Sequence, residues 1–230
     1  MNNYRAILKR VAIVVIVVGI LDLLYFFHVV SNGSAGLLFS RGYTSSSTFL
    51  VAVGVMFWRG NLRLVPIVTW AAALLFSYFI SSLFLELPSK PAELWLTQWN
   101  LDPVNLLLSF LYKIAASAVC LWVYIQLRSE PVVRATVKSG QQVSTGKGAF
   151  ILGVTFVVMV AGIMQFIRLG EPGLKALEIA RTQYGAGYKY HVTGISWEGE
   201  RVRATLIAYN PQQIKPVQVE WSRQSSQSLL

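Results

Sequence analysis

Cysteine occurs once in the 230 residues, as Cys120, which excludes an intrachain disulfide and any cysteine-rich metal site. Histidine is nearly as rare: His28 and His191 are far apart and lack the spacing of a metal-binding helix, so no metal role is expected of them. Charge is scarce too, since Asp, Glu, Lys and Arg make up 13% of the chain, about half the share usual in soluble domains. Glycine-rich phosphate loops, the G-x-S-x-G elbow and the H-E-x-x-H zinc helix are all missing from the sequence. Glu198 and Glu200 flank Gly199 and read as turn residues, because a hairpin tip gives no shielding for general acid–base work. The pattern calls for no cofactor and does not mark an enzyme.

Apolar residues are in excess, at 54%, and a surplus of that size needs a non-aqueous home. A net charge of +10 would suit a polyanion partner if the cations lined one surface with stacking aromatics. Here most of them flank apolar runs, so the expected partner is the lipid bilayer and nucleic acid is excluded.

The runs predict a mostly α protein, a five-helix transmembrane bundle with spans at about 11–30, 43–58, 64–85, 103–127 and 149–167. Residues 11–30 (VAIVVIVVGILDLLYFFHVV) form a twenty-residue stretch, enough at 1.5 Å per residue to cross a hydrocarbon core of about 30 Å. Asp22 inside it argues for an uncleaved anchor rather than a signal peptide. The second segment is the weakest, because TFLVAVGVMFW is short alone and needs Tyr43 and the serines Ser45, Ser46 and Ser47 to reach a thin span; a re-entrant segment is the alternative. Pro66 is tolerated in the first turn of the third span, and Asp102 with Pro103 opens the fourth as N-cap and first helical residue.

Positive residues resist translocation, so short loops report orientation. Five spans with the N-terminus inside put Arg5, Lys9, Arg10, Arg59, Arg63, Arg128, Arg134, Lys138 and Lys147 on the cytoplasmic side, and only Arg41 and Lys90 in outer loops. The C-terminus is then periplasmic or extracellular, and lone cysteine use with compact loops fits a bacterial inner membrane. In the outer loop SKPAELWLTQWN, Trp95 and Trp99 stand at i, i+4, as interfacial anchors on a short helix lying at headgroup level.

Polar composition begins after Arg168, so the transmembrane domain is read as 1–168, a small extracytoplasmic α+β module as 169–221, and 222–230 as a disordered tail. Leu174, Leu177, Ala180 and Tyr184 recur on one helical face. Three β-like runs follow, YKYHVTGISW, RVRATLIAY and VQVEW, with a hairpin at Glu198-Gly199 and a bulge at Gly194, where the alternation slips phase. One helix on a three-stranded antiparallel meander results. In outline it is similar to small cystatin-like or PepSY-like modules, a resemblance of shape that covers about a quarter of the chain and carries no function with it. A unit so small is expected to lean on the membrane part or on another chain.

Two ionisable residues fall inside spans, Asp22 and Lys113, and each alone would cost about 2.5 to 3.5 kcal/mol on insertion scales. Each lies within roughly 2 to 3 Å of the midplane on its outer side, so their depths match and an intramembrane Asp22–Lys113 ion pair is expected. A relay reading adds His28 as a neighbouring proton carrier; a static pair that orders the bundle is the simpler one. Tyr188, Tyr190 and Trp197 on the first strand, with the open edges of the sheet, suit a protein partner by strand addition, unless the tyrosines are the module's own core. Ala149 and Gly153 form a small-xxx-small pair on the fifth span, suited to helix packing within the chain or in a homo-oligomer. These readings converge on a membrane accessory or assembly protein, with a transporter or channel subunit and a lipid-modifying enzyme as the competing classes.

Overall fold

The computed structural model describes residues 3–31, 47–143 and 146–222, without the side chains of residues 25, 26, 28–31 and 47. Within these residues the chain is mostly helical and ends in a three-stranded antiparallel sheet. The helices are α1 (Asn3–Ser31), α2 (Ser47–Trp58), α3 (Val65–Ser89, entered by a single 3-10 turn at Leu62–Leu64), α4 (Ala92–Leu101), α5 (Pro103–Leu127), α6 (Glu130–Lys138), α7 (Lys147–Leu169) and α8 (Glu171–Tyr184). The strands are β1 (Lys189–Glu198), β2 (Arg201–Asn210) and β3 (Gln213–Ser222).

Three stretches are long and apolar enough to cross a membrane: Leu62–Ser89, Pro103–Leu127 and Lys147–Leu169. The expectation of five is corrected to these three among the described residues. α2 has only 12 residues, roughly 18 Å of helix, which is too short to span a bilayer. Its proposed extension at residues 43–46 lies outside the described residues, as do Arg41 and the tail 223–230. α1 runs for 29 residues, and part of its C-terminal half lacks described side chains. The boundary at Asp102 is as the sequence predicts. Asp102 leaves the helical conformation at φ −148°, and its carboxylate accepts from the Asn105 backbone N–H at 3.3 Å and the Asn105 amide at 2.7 Å.

The chain divides into two compact units, and each of the three long helices contributes one end to each unit. The first unit comprises Met1–Phe76 and Ala118–Ile151. Its core joins Leu8, Val11 and Val15 of α1 to Val53 and Phe57 of α2, Val65 of α3, Leu127 of α5 and Val132 of α6. α1 and α2 run antiparallel: Lys9 Nζ lies 5.8 Å from the Trp58 ring centroid, while one to two turns further along α1, Ala12 and Ile16 face Gly54. Glycine is required there, because a Cβ at position 54 would fall 2.4 Å from Ile16 Cγ1 and 3.1 Å from the Ala12 carbonyl oxygen. All nine cations assigned to the inner side by the charge tally fall in this unit.

Residues 128–147, expected as a basic loop, contain the amphipathic helix α6. Pro131 sits in its first turn, Val132 and Thr136 are buried, and Lys138 closes its last turn, where a cation complements the helix dipole.

The second unit comprises Ser77–Ser117 and Leu152–Leu230. Its sheet has the order β1-β2-β3, and the register of β1 against β2 shifts between Val192 and Gly194, where the sequence predicts a bulge. Val202, Ala204, Leu206 and Ala208 of β2 are buried, as their alternation requires, and Val217 and Val219 of β3 continue the face. α8 packs on this face through Ala176 and Ala180, with Leu177 and Tyr184 partly buried beside them. Leu174, expected on the buried stripe, is 59% exposed instead. Ala176 and Ala180 share one core cluster with Ala204 and Ala208 of β2, so the buried stripe of α8 is built on small residues and Leu174 falls outside it. The opposite face of the sheet is covered in part by α4, which packs against β2 and β3.

Overpacking at the α1–α2 contact should be costly. Gly54→Leu is expected to lower stability by about 1–3 kcal/mol in detergent-solubilised thermal unfolding. Gly148→Leu, where an added Cβ meets nothing within 4 Å, should change it far less. Equal melting temperatures for both variants would refute the close approach.

Candidate functional site

Two groups of chemistry-bearing side chains occupy the second unit. The first gathers where α3 ends and α4 begins. Glu86, in the last turn of α3, accepts from Lys90 Nζ at 2.9 Å through Oε1 and from Lys113 Nζ of α5 through Oε2. Lys90 follows Glu86 by four residues and reaches back to it, and its ammonium also lies 4.4 Å from the centroid of the Trp95 ring. Trp95 is held in turn by an indole N–H donated to the Leu87 carbonyl at 3.2 Å and by the Phe110 ring, 5.7 Å away between centroids. α4 is thereby fixed across the ends of α3 and α5.

Arg168, at the C-terminal end of α7, donates through Nη1 to the Ser89 carbonyl at 2.9 Å, which caps an orphan carbonyl at the end of α3. Its Nε is buried and has no partner. Directly after it α7 turns into α8 so tightly that a Cβ on Gly173 would lie 2.3 Å from the Arg168 carbonyl oxygen, backbone that cannot yield. His191 on β1 completes the group. Burial first, then the nearby charges of Arg168 and Lys90, hold its pKa down to about 4, so its imidazole is neutral at pH 7. Two residues back on the same face, Lys189 bonds Glu93 of α4, which raises the Lys189 pKa and ties β1 to α4.

The second group lines an open cleft of about 550 Å3 formed by Arg181, Ala186, Tyr188, Lys189, Tyr190 and Tyr209. Its tyrosines are fixed: Tyr190 donates to the Gly185 carbonyl at 2.7 Å and Tyr188 to Gln213 Oε1 at 2.8 Å, with Lys215 Nζ 4.3 Å from the Tyr188 ring centroid. Partial burial raises the pKa of Tyr190 and of Tyr209, so both phenols are protonated at pH 7. The lining includes the exposed Arg181 guanidinium and the Lys189 ammonium, the latter bonded to Glu93. Such a lining accepts an anionic or flat polar group by stacking and charge-assisted hydrogen bonds.

Of the residues singled out from sequence, Tyr188 and Tyr190 meet in this cleft and also pack, partly buried, against the module's core. Trp197 is not with them; it pairs with Val202 near the β1–β2 turn and is 45% exposed. Trp95 and Trp99 both lie on α4, the first partly buried in the Glu86 cluster and the second exposed. Lys113 has the partner Glu86, which sequence reasoning did not name, while Asp22 stands partly buried on α1 in the first unit. The side chain of His28 lies outside the described residues.

Sequence reasoning also missed Lys90 and Arg168 as site residues. The available signal was the Glu86/Lys90 spacing of four at a helix end, where a carboxylate and a cation share one face. Among the described residues no group of three or more His, Cys, Asp or Glu could hold a metal ion. Comparison with known families, curated proteins and solved structures finds no match for the chain.

Removing the shared acceptor should be worse than removing the whole pair. Glu86→Gln leaves two ammonium groups competing for a neutral amide and is expected to destabilise the micelle-solubilised protein by about 1–3 kcal/mol. Adding Lys113→Met to that variant should recover part of the loss, because one of the two ammonium groups that shared the carboxylate is then gone. A Glu86→Gln variant as stable as the parent would show that the pairing carries no energy.

Proposed function

We propose that the chain is a multi-pass membrane accessory protein that holds its C-terminal helix and sheet at the outer face of a bacterial inner membrane, as a recognition module for a protein partner. The observation that carries this reading is the cleft, an open concavity of about 550 Å3 bounded by fixed tyrosines, the exposed Arg181 and the Glu93-bonded Lys189, built on a sheet fastened to α4.

Two observations support the orientation. The nine cations of the charge tally belong to one compact unit, as expected of the side on which the chain is made. The antiparallel return of α2 brings Trp58 back beside Lys9, so the chain enters α3 from the N-terminal side whether or not α1 and α2 cross fully. An odd number of crossings, through α3, α5 and α7, then carries the module to the opposite side. Pairing of Lys113 with Glu86, a carboxylate it shares with Lys90 in the last turn of α3, supports a structural role for this lysine over a place in a proton relay.

A photo-crosslinking amino acid at Ala186, within the cleft, should capture a discrete partner from native membranes, and the adduct should be lost when Arg181→Glu and Tyr190→Ala are introduced together. The same probe at Glu220, on the far edge of the sheet, should capture little. Adducts of equal yield at both positions, or none at Ala186, would contradict the recognition role.

A further inference from the structure

The Glu86 cluster is unbalanced. Lys90 and Lys113 share the one Glu86 carboxylate, and Arg168, bonded to the carbonyl of Ser89 next to Lys90, adds a third cation that no salt bridge joins to an acid among the described residues. Glu93, on the neighbouring α4, is already bonded to Lys189. His191, which adjoins Arg168 and Lys90, contributes no negative charge in any protonation state. Two positive charges are therefore left over at a partly buried position, where uncompensated charge is costly and an anion is the natural complement.

The unsatisfied donor narrows the kind of anion. Arg168 spends Nη1 on the Ser89 carbonyl, and its buried Nε has no acceptor. The Nε side of a guanidinium is half of the planar fork that engages phosphate or carboxylate through two parallel hydrogen bonds. Depth narrows it again. Arg168 and Glu86 stand in the last turns of α7 and α3, two helices long and apolar enough to span, beside Trp95 on a short helix of interfacial composition. At the ends of such helices the abundant anion is the phosphodiester of a lipid headgroup.

We propose that Arg168, Lys90 and Lys113 bind the phosphate of an anionic lipid headgroup, with Trp95 flanking the acyl boundary. The inference rests on the reading of α3 and α7 as membrane spans, but it can fail without it.

Full-length protein would be reconstituted in nanodiscs of phosphatidylcholine mixed with phosphatidylglycerol, released, and analysed by native mass spectrometry for retained lipid. The parent should retain phosphatidylglycerol in preference to phosphatidylcholine, and Arg168→Gln or Lys90→Gln should each reduce that preference by about tenfold, the worth of one charge-assisted hydrogen bond. Arg168→Lys, which keeps the charge and loses the fork, should fall between, and Lys138→Gln in the first unit should behave like the parent. Should Arg168→Gln fail to fold, Lys90→Gln carries the test.

Equal retention of the two lipids, or a preference that neither variant alters, would overturn the site. Inorganic phosphate stabilising the parent without any lipid preference would overturn the assignment to a headgroup. A chain that stays monodisperse without detergent would instead sink the membrane reading itself.

Discussion

The outward side chains of α3, α5 and α7 are apolar almost without interruption, among them Ile67, Leu75, Phe84, Leu107, Leu111, Ile151, Val154 and Phe166, all well exposed on the isolated chain. A surface of that kind suits hydrocarbon better than water, and these three stretches are long and apolar enough to cross a membrane. Inside a bilayer there is no hydrophobic drive between helices, and association depends on close packing and polar contacts. Both are visible. Gly54 lets α1 and α2 touch, and Glu86 draws Lys90 and Lys113 onto a single carboxylate.

From that constraint the second unit can be built outward. Glu86 joins α3 to α5, the lysine it holds stacks on Trp95 of α4, and α4 carries Glu93 to meet Lys189 on the sheet. Arg168 adds α7 through the Ser89 carbonyl, and the tight corner at Gly173 sends α8 straight onto the sheet's other face. A module too small to bury a full core alone thus has α8 on one side and α4 on the other. The tyrosine cleft is a by-product of the same arrangement, because Lys189 and Tyr190 point to opposite faces of β1 and both reach its end.

Much of the local structure was legible in the sequence. Period-two alternation identified all three strands, the phase slip identified the bulge at Gly194, and Asp102-Pro103 marked the start of α5 to the residue. Hydropathy found the three long helices but overcounted, since an apolar run such as TFLVAVGVMFW is equally satisfied by a short helix packed on its neighbour. The helix α6 went unread because its two cations, Arg134 and Lys138, resemble a topogenic loop, although Ser129, Glu130 and Pro131 are good helix-start residues.

The candidate site was legible only in pieces. Tyr188 and Tyr190 were found through alternation, but Tyr209 and Arg181 come from other elements, and only register and packing bring them there. Depth arithmetic matched Lys113 with Asp22 because it treats helices as parallel rods of known ends; it cannot see that α5 starts beyond the end of α3 and offers Lys113 to Glu86.

On the proposed topology the chain would cross the membrane an odd number of times, so that α6 and the sheet would face opposite sides. Single cysteines placed by Lys138→Cys and Trp197→Cys in a Cys120→Ser background, treated with a membrane-impermeant maleimide in sealed right-side-out vesicles, test it directly. The account predicts labelling at 197 without lysis and at 138 only after lysis. Labelling of both, or of neither, in sealed vesicles would contradict it.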